Sequence, residues 1–136
     1  MPNFGKTSKS RLGMCHPKLQ LVFNEVIKVY DCSVLCGERN KEEQDYVYSM
    51  GWSKLKYPDS KHNKVPSEAV DVVPWFINKP HIRWEDKHKF YQFSGVVITI
   101  ADRVSVKLRW GGNWDGDEEL HDQSFMDLPH WELIGD

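Results

Sequence analysis

Ser60–Trp75, SKHNKVPSEAVDVVPW, passes from a polar segment of turn formers into the apolar series Ala69, Val70, Asp71, Val72, Val73. The series reads as a strand, Glu68–Val73, entered from a loop that carries His62. Asp71 stands out in it, because an ionised carboxylate among such neighbours is costly unless a cation or hydrogen bonds compensate it. The same anomaly recurs near the C-terminus in FMDLPHWELI, where Asp127 and His130 are flanked by large apolar residues. Two histidines and a carboxylate are a common ligand set for catalytic zinc, which takes three protein ligands and keeps a fourth position for water. That assignment leaves Asp127 as a base. On the residues alone, neutralisation of Asp71 by a buried Arg or Lys is an equal alternative.

Upstream of this stretch, Pro17 opens a helix in which Leu19, Val22, Phe23, Val26, Ile27 and Tyr30 recur at helical spacing and mark a core face. Cys32–Cys36 alternates like a short strand. Asn40, with Glu43 three residues later, is a helix-start signature, so Lys41–Met50 reads as a second helix closed by Gly51. Downstream, Phe90, Phe93, Val97, Ile100 and Ala101 fit a helix over Asp86–Asp102, and Val104–Trp110 alternates like a strand with one wet face. The loop GGNWDGDEELHDQ follows, then a final strand, His130–Ile134. Helices and strands intermixed in this way predict an α+β domain with a small, mainly antiparallel sheet and flanking helices.

The chain has 136 residues, the size of one domain, read as residues 1–136 with a loose polar arm over 1–10. A net charge of -2 argues against a nucleic-acid partner, although Lys6, Lys9 and Arg11 make the N-terminus locally basic. No apolar run has the length of a membrane span, and the opening residues lack the apolar stretch of a secretory signal, so a soluble cytosolic product without stable membrane insertion is expected. Three cysteines, Cys15, Cys32 and Cys36, do not make a disulfide framework. On one strand Cys32 and Cys36 share a face but stand roughly 13 Å apart, too far for a bridge. Buried free thiols are expected.

Ser60, His62, Ala69, Val70 and Asp71 resemble the SxH and AxD ends of the metal motif of M15 peptidases, and Asp127, Pro129, His130 and Trp131 resemble its terminal motif. Gly37–Arg39, Gln44 and the segment Arg109–Trp114 are similar to the L-alanyl-D-glutamate peptidase branch found in phage endolysins, whose RWGGDW the last segment resembles. The likeness runs from about Arg11 to Leu133. The chain departs from the pattern in having two extra residues between His62 and Asp71, with NKVPS where the compact motif has glycine, and in Asn113, where aspartate is usual. Asp127 stands where the carboxypeptidase branch has glutamate. The resemblance implies a Hedgehog/DD-peptidase fold, a zinc ion (Zn2+) held by His62, Asp71 and His130, Asp127 as general base, and Arg39 holding the substrate or polarising its carbonyl.

It implies further a monomeric zinc endolysin that hydrolyses the stem peptide of bacterial peptidoglycan between L-alanine and D-glutamate. Such a lysin stays in the host cytoplasm until release and then reaches the periplasm and cell wall. The alternatives are a D-alanyl-D-alanine carboxypeptidase or dipeptidase on the same fold, and a non-catalytic metal-containing module that binds the wall. Each residue also has an ordinary role: His62 exposed in a polar loop, Asp127 capping a turn before Pro129, Arg39 neutralising Glu38 or Glu43. His16, His81, His88 and His121 read as surface or packing residues, with His121 the substitute ligand. Trp75, Trp84, Trp110, Trp114 and Trp131 either line a groove or pack, and Asp115, Asp117, Glu118 and Glu119 lack the ligand spacing of a calcium loop.

Overall fold

The computed structural model describes residues 2–113 and 127–135. In chain order the elements are α1 (Lys6–Gly13), α2 (Pro17–Val26), β1 (Cys32–Cys36), α3 (Lys41–Ser49), β2 (Ala69–Pro74), α4 (Lys87–Arg103), β3 (Leu108–Trp110) and β4 (His130–Leu133), with a 3-10 turn at Lys61–Asn63. The four strands make one antiparallel sheet in the order β1-β2-β4-β3. The α+β architecture is the one expected.

Local signals in the sequence account for most boundaries. Pro17 sits in the first turn of α2, where its missing N–H is no loss, and the His16 ring accepts a hydrogen bond from the Lys18 amide. At α3, Asn40 and Glu43 form the reciprocal capping box, and Gly51 ends the segment at a φ of 75° that a side chain would resist. Asp86 caps α4 through the Lys89 amide. The buried stripes of α2 (Leu19, Val22, Phe23, Val26) and α4 (Phe93, Val97, Ala101) join Val70, Val72 and Trp131 in one core. Trp131 is fully buried, stacked on Trp110 at 5.7 Å and edge-on to Phe23 at 6.5 Å. Both tryptophans pack.

Three expectations need correction. Residues 6–13 are not a loose arm but α1, whose Ser8 and Leu12 are buried; the Ser8 hydroxyl accepts from the Val34 amide at 3.0 Å, and Arg11 donates to the Val34 carbonyl at 3.1 Å. The last strand before the loop starts only at Leu108, because Val104 closes α4 and Ser105 turns the chain at φ 59°. Val106 is then buried by packing while its amide bonds back to the Ala101 carbonyl, so its alternation with Val104 imitates a strand. Finally, Cys15 and Cys32 are buried free thiols but Cys36 is half-buried, displaced by a bulge between Val34 and Cys36.

Candidate metal centre

The sheet splits its residues by parity, and this places the site on the face away from the core. Along β2, Val70 and Val72 point into the core and Asp71 points the other way; along β4, Trp131 and Leu133 go to the core and His130 and Glu132 to the site. Asp71 and His130 are register partners across the β2–β4 pair, so their side chains leave neighbouring strands side by side. His62 comes from the 3-10 turn, which Ser60 caps by accepting the His62 amide while Asn63 accepts the Ser60 amide. The turn is pinned to both sides by Arg39 N–H to the His62 carbonyl (2.7 Å) and Glu68 N–H to the Lys61 carbonyl (3.0 Å). His62 is therefore 2% exposed, not a solvated loop residue.

These three side chains converge. His62 Nε2, His130 Nδ1 and Asp71 Oδ1 are each 3.3 Å from the other two. Among the described residues they form the one group of three with metal-ligand character. The far nitrogen of each ring is occupied: His62 Nδ1 donates to the Gly37 carbonyl at 2.7 Å and His130 Nε2 to Glu132 Oε1 at 2.8 Å. Acceptor partners on those sides leave unprotonated, inward-facing nitrogens in the neutral rings. With both rings neutral, two nitrogen lone pairs and a carboxylate oxygen at this separation repel one another unless a cation, the His62 proton or a metal ion, lies between them. A regular tetrahedron with edges of this length has its centre about 2.0 Å from each corner, a zinc–nitrogen or zinc–oxygen bond length. The donor set fits such an ion.

Around the triangle, Arg39 sets its Nη2 3.6 Å from Asp71 Oδ2, the oxygen turned away from the histidines, and donates to Gln44 Oε1 at 2.9 Å. The arginine partner expected for Asp71 is thus present on one oxygen, while the other oxygen faces the two histidines. Gln44 is fully buried and donates in turn to Ser53 Oγ and the Leu55 carbonyl. Glu132 holds His130 with one oxygen while Lys61 (3.7 Å) and Arg109 (3.8 Å) lie near the other. Asp127 begins the turn into β4, its carbonyl accepting from the His130 amide and its own amide bonding to the Gly111 carbonyl. A Cβ on Gly111 would stand 1.9 Å from the Asp127 carbonyl oxygen, and one on Gly37 2.5 Å from that of Arg11, so both glycines permit backbone approaches that fix the site.

Electrostatics follow from this crowding. Burial pulls the His62 imidazole down, but the Asp71 charge outweighs it and holds the ring up at about 10. Asp71 itself is driven well below the carboxylate range, the two histidines overcoming its burial. Asp127 is pushed up to about 6, first by burial and then by the Asp71 charge. A groove of about 800 Å3 opens here, lined by Arg39, Trp52, Leu55, Lys61, Trp84 and Pro129 together with His62, Asp71, Asp127 and His130.

All five expected site residues that bear on the chemistry, Arg39, His62, Asp71, Asp127 and His130, thus line one groove. His16 caps α2, His81 stacks on Trp75 at 4.4 Å, and neither they nor His88 belong to the cluster. His121, Trp114 and the acidic run 115–119 lie outside the described residues. Glu132 and Trp52 were not singled out from the sequence; the pair His130 and Glu132, two apart on a strand and so on one face, carried a readable signal for the first.

The profile of the family described as phage L-alanyl-D-glutamate peptidase matches residues 2–134. Among solved structures, the Serratia marcescens L-Ala D-Glu endopeptidase ChiX shares the fold with a TM-score of 0.75 at 24% sequence identity, over 97% of this chain and 90% of the other. No curated protein matches the chain.

Proposed function

The chain belongs to the phage L-alanyl-D-glutamate peptidase family and is a peptidoglycan-cleaving hydrolase, and from that premise we propose that His62, Asp71 and His130 hold a zinc ion beside Asp127 as general base. The observation that carries the proposal is the 3.3 Å triangle of two imidazole nitrogens and one carboxylate oxygen, each ring held from behind by an acceptor. Bound there, zinc supplies Lewis acidity, which acidifies water and polarises a carbonyl.

The protein's own groups do the rest. Asp127, raised toward neutrality by its surroundings, takes the proton of the attacking water and passes it to the departing amine of D-glutamate. Arg39, anchored by Gln44 and Asp71, turns its remaining N–H groups to the groove, where they stabilise the developing oxyanion or clamp a substrate carboxylate. Glu132 keeps His130 in the tautomer that presents Nδ1, and Gly37 does the same for His62 Nε2. A half-buried base at the cluster supports hydrolysis over mere wall binding. No helix among the described residues is long and apolar enough to cross a membrane. We place the chain in the host cytoplasm as a monomer until release, and then at the wall.

Digestion of purified peptidoglycan tests the reading. New amino termini on D-glutamate, with L-alanine retained on muramic acid and glycan strands intact, are expected. Released D-alanine would move the enzyme to the carboxypeptidase reaction, and new reducing sugar ends would remove it from the peptidases.

Metal binding should also release protons. His62 is held up at about 10 in the metal-free site, so at pH 7 its inward nitrogen carries a proton that a metal must displace. Titration calorimetry with zinc in buffers of different ionisation enthalpy should show about one proton released per ion at pH 7. Binding without proton release would place the metal elsewhere.

A further inference from the structure

A second hollow, of about 640 Å3, adjoins the groove at Arg39 and is lined by Leu35, Glu42, Glu43 and Tyr46. It shares Arg39, Val47, Trp52 and Asp71 with the groove already described, so the two hollows adjoin at these residues as arms of one cleft. At the mouth of this second arm Tyr46 and Trp52 meet edge to face, 5.8 Å between ring centres, yet remain 56% and 60% exposed. They form a platform braced on itself and open to solvent.

We propose that the Tyr46–Trp52 platform binds the muramyl sugar of the substrate, so that the glycan lies in the arm beside α3 and the peptide beyond the scissile bond lies in the arm bounded by Leu55, Lys61 and Trp84. The inference rests on the peptidase reading and adds the direction in which the substrate lies. Covalent reach is the first argument. Only L-alanine and the lactyl group separate the cleaved bond from the sugar ring, about two residue lengths or roughly 7 Å. An enzyme cutting that bond in intact wall must therefore hold a sugar close to its reacting centre, and Asp71 lines the hollow that the platform faces.

Chemistry and charge choose between the arms. Sugars present C–H faces that pack on aromatic rings and hydroxyls that donate to carboxylates, and this arm offers Tyr46 and Trp52 with Glu42 and Glu43. Glu43 already gives one oxygen to the Asn40 amide in the helix cap, which fixes the carboxylate at the rim. The peptide beyond the cleaved bond carries free carboxylates. Two glutamates repel it from this arm, whereas in the other Lys54 and Lys61 offset Asp59 and Glu132.

Two substrates test the assignment: a muramyl peptide containing the L-Ala-D-Glu bond, and the same peptide with an acetyl group in place of the sugar. The zinc-loaded wild type should favour the muramyl peptide in kcat/KM. Trp52→Ala and Tyr46→Ala should each lower that preference about tenfold with metal content unchanged, and Tyr46→Phe should keep it. A wild type without preference, a preference unaltered in both alanine variants, or equal losses on both substrates would overturn the inference while leaving the peptidase reading intact. Failure of the wild type to cut either substrate would sink both.

Discussion

Asp127→Asn should bind zinc as the wild type does and lose about two to four orders of magnitude in kcat, the range attributed to a positioned general base. The substitution keeps the size and the turn into β4, because the Asp127 backbone bonds to Gly111 and His130 do not involve the side chain. It removes the proton acceptor alone. The wild-type rate should fall in acid, as the Asp127 carboxylate, which burial holds above the ordinary carboxylate range, takes up its proton. That acid limb should be missing from the residual activity of the variant. Metal analysis after dialysis and pH–rate profiles decide the role. Loss of zinc would make Asp127 a ligand, and an unchanged rate would give the base to another group.

The legible parts of this chain are those where a residue type conflicts with its neighbours or matches a cap. Asp71 within an apolar strand and His130 before Trp131 could be read as a site because strand parity separates them from the valines and tryptophan that build the core. Asn40 with Glu43, and Pro17 ahead of its apolar stripe, placed α3 and α2 for reasons of hydrogen bonding that do not need tertiary structure. The helix over 6–13 escaped notice because KTSKSRLG buries little beyond Ser8 and Leu12; its stability comes from bonds to Val34 on β1, a partner distant in sequence. Val104–Val106 misled for the opposite reason, since a helix exit that buries one valine copies the alternation of a strand.

The bulge in β1 was equally invisible, yet the site depends on it. Cys36 pairs with Asp71 just after the irregularity, and from there the chain delivers the Gly37 carbonyl to His62 and the Arg39 guanidinium to Asp71. Bulges commonly re-aim side chains next to active sites. Resemblance marked Gly37, Arg39 and Gln44; only the fold supplies the reason, which is that each of them holds another site residue in place.

Asp71→Asn should be the most damaging single change, because the proposed site then exchanges its only carboxylate for a neutral amide. Removing groups that merely orient a ligand weakens binding about 10–100-fold, so loss of the ligand itself should exceed about 100-fold and abolish activity at ordinary zinc levels. The metal-free protein offers a separate check. His62 is raised from 6.5 to about 10 because the Asp71 charge outweighs burial. A histidine raised on folding contributes stability in full below its unfolded value near 6.5 and loses it as pH climbs toward 10. The Asp71 half of the pair, depressed on folding, is lost only in acid, as pH falls below the ordinary carboxylate range. Urea unfolding of the metal-free wild type should therefore show a midpoint that declines between pH 6.5 and 9, and the Asp71→Asn protein should lack that decline. A flat midpoint in the wild type would mean that Asp71 does not hold the His62 proton, and the proton release expected on zinc binding would lose its source.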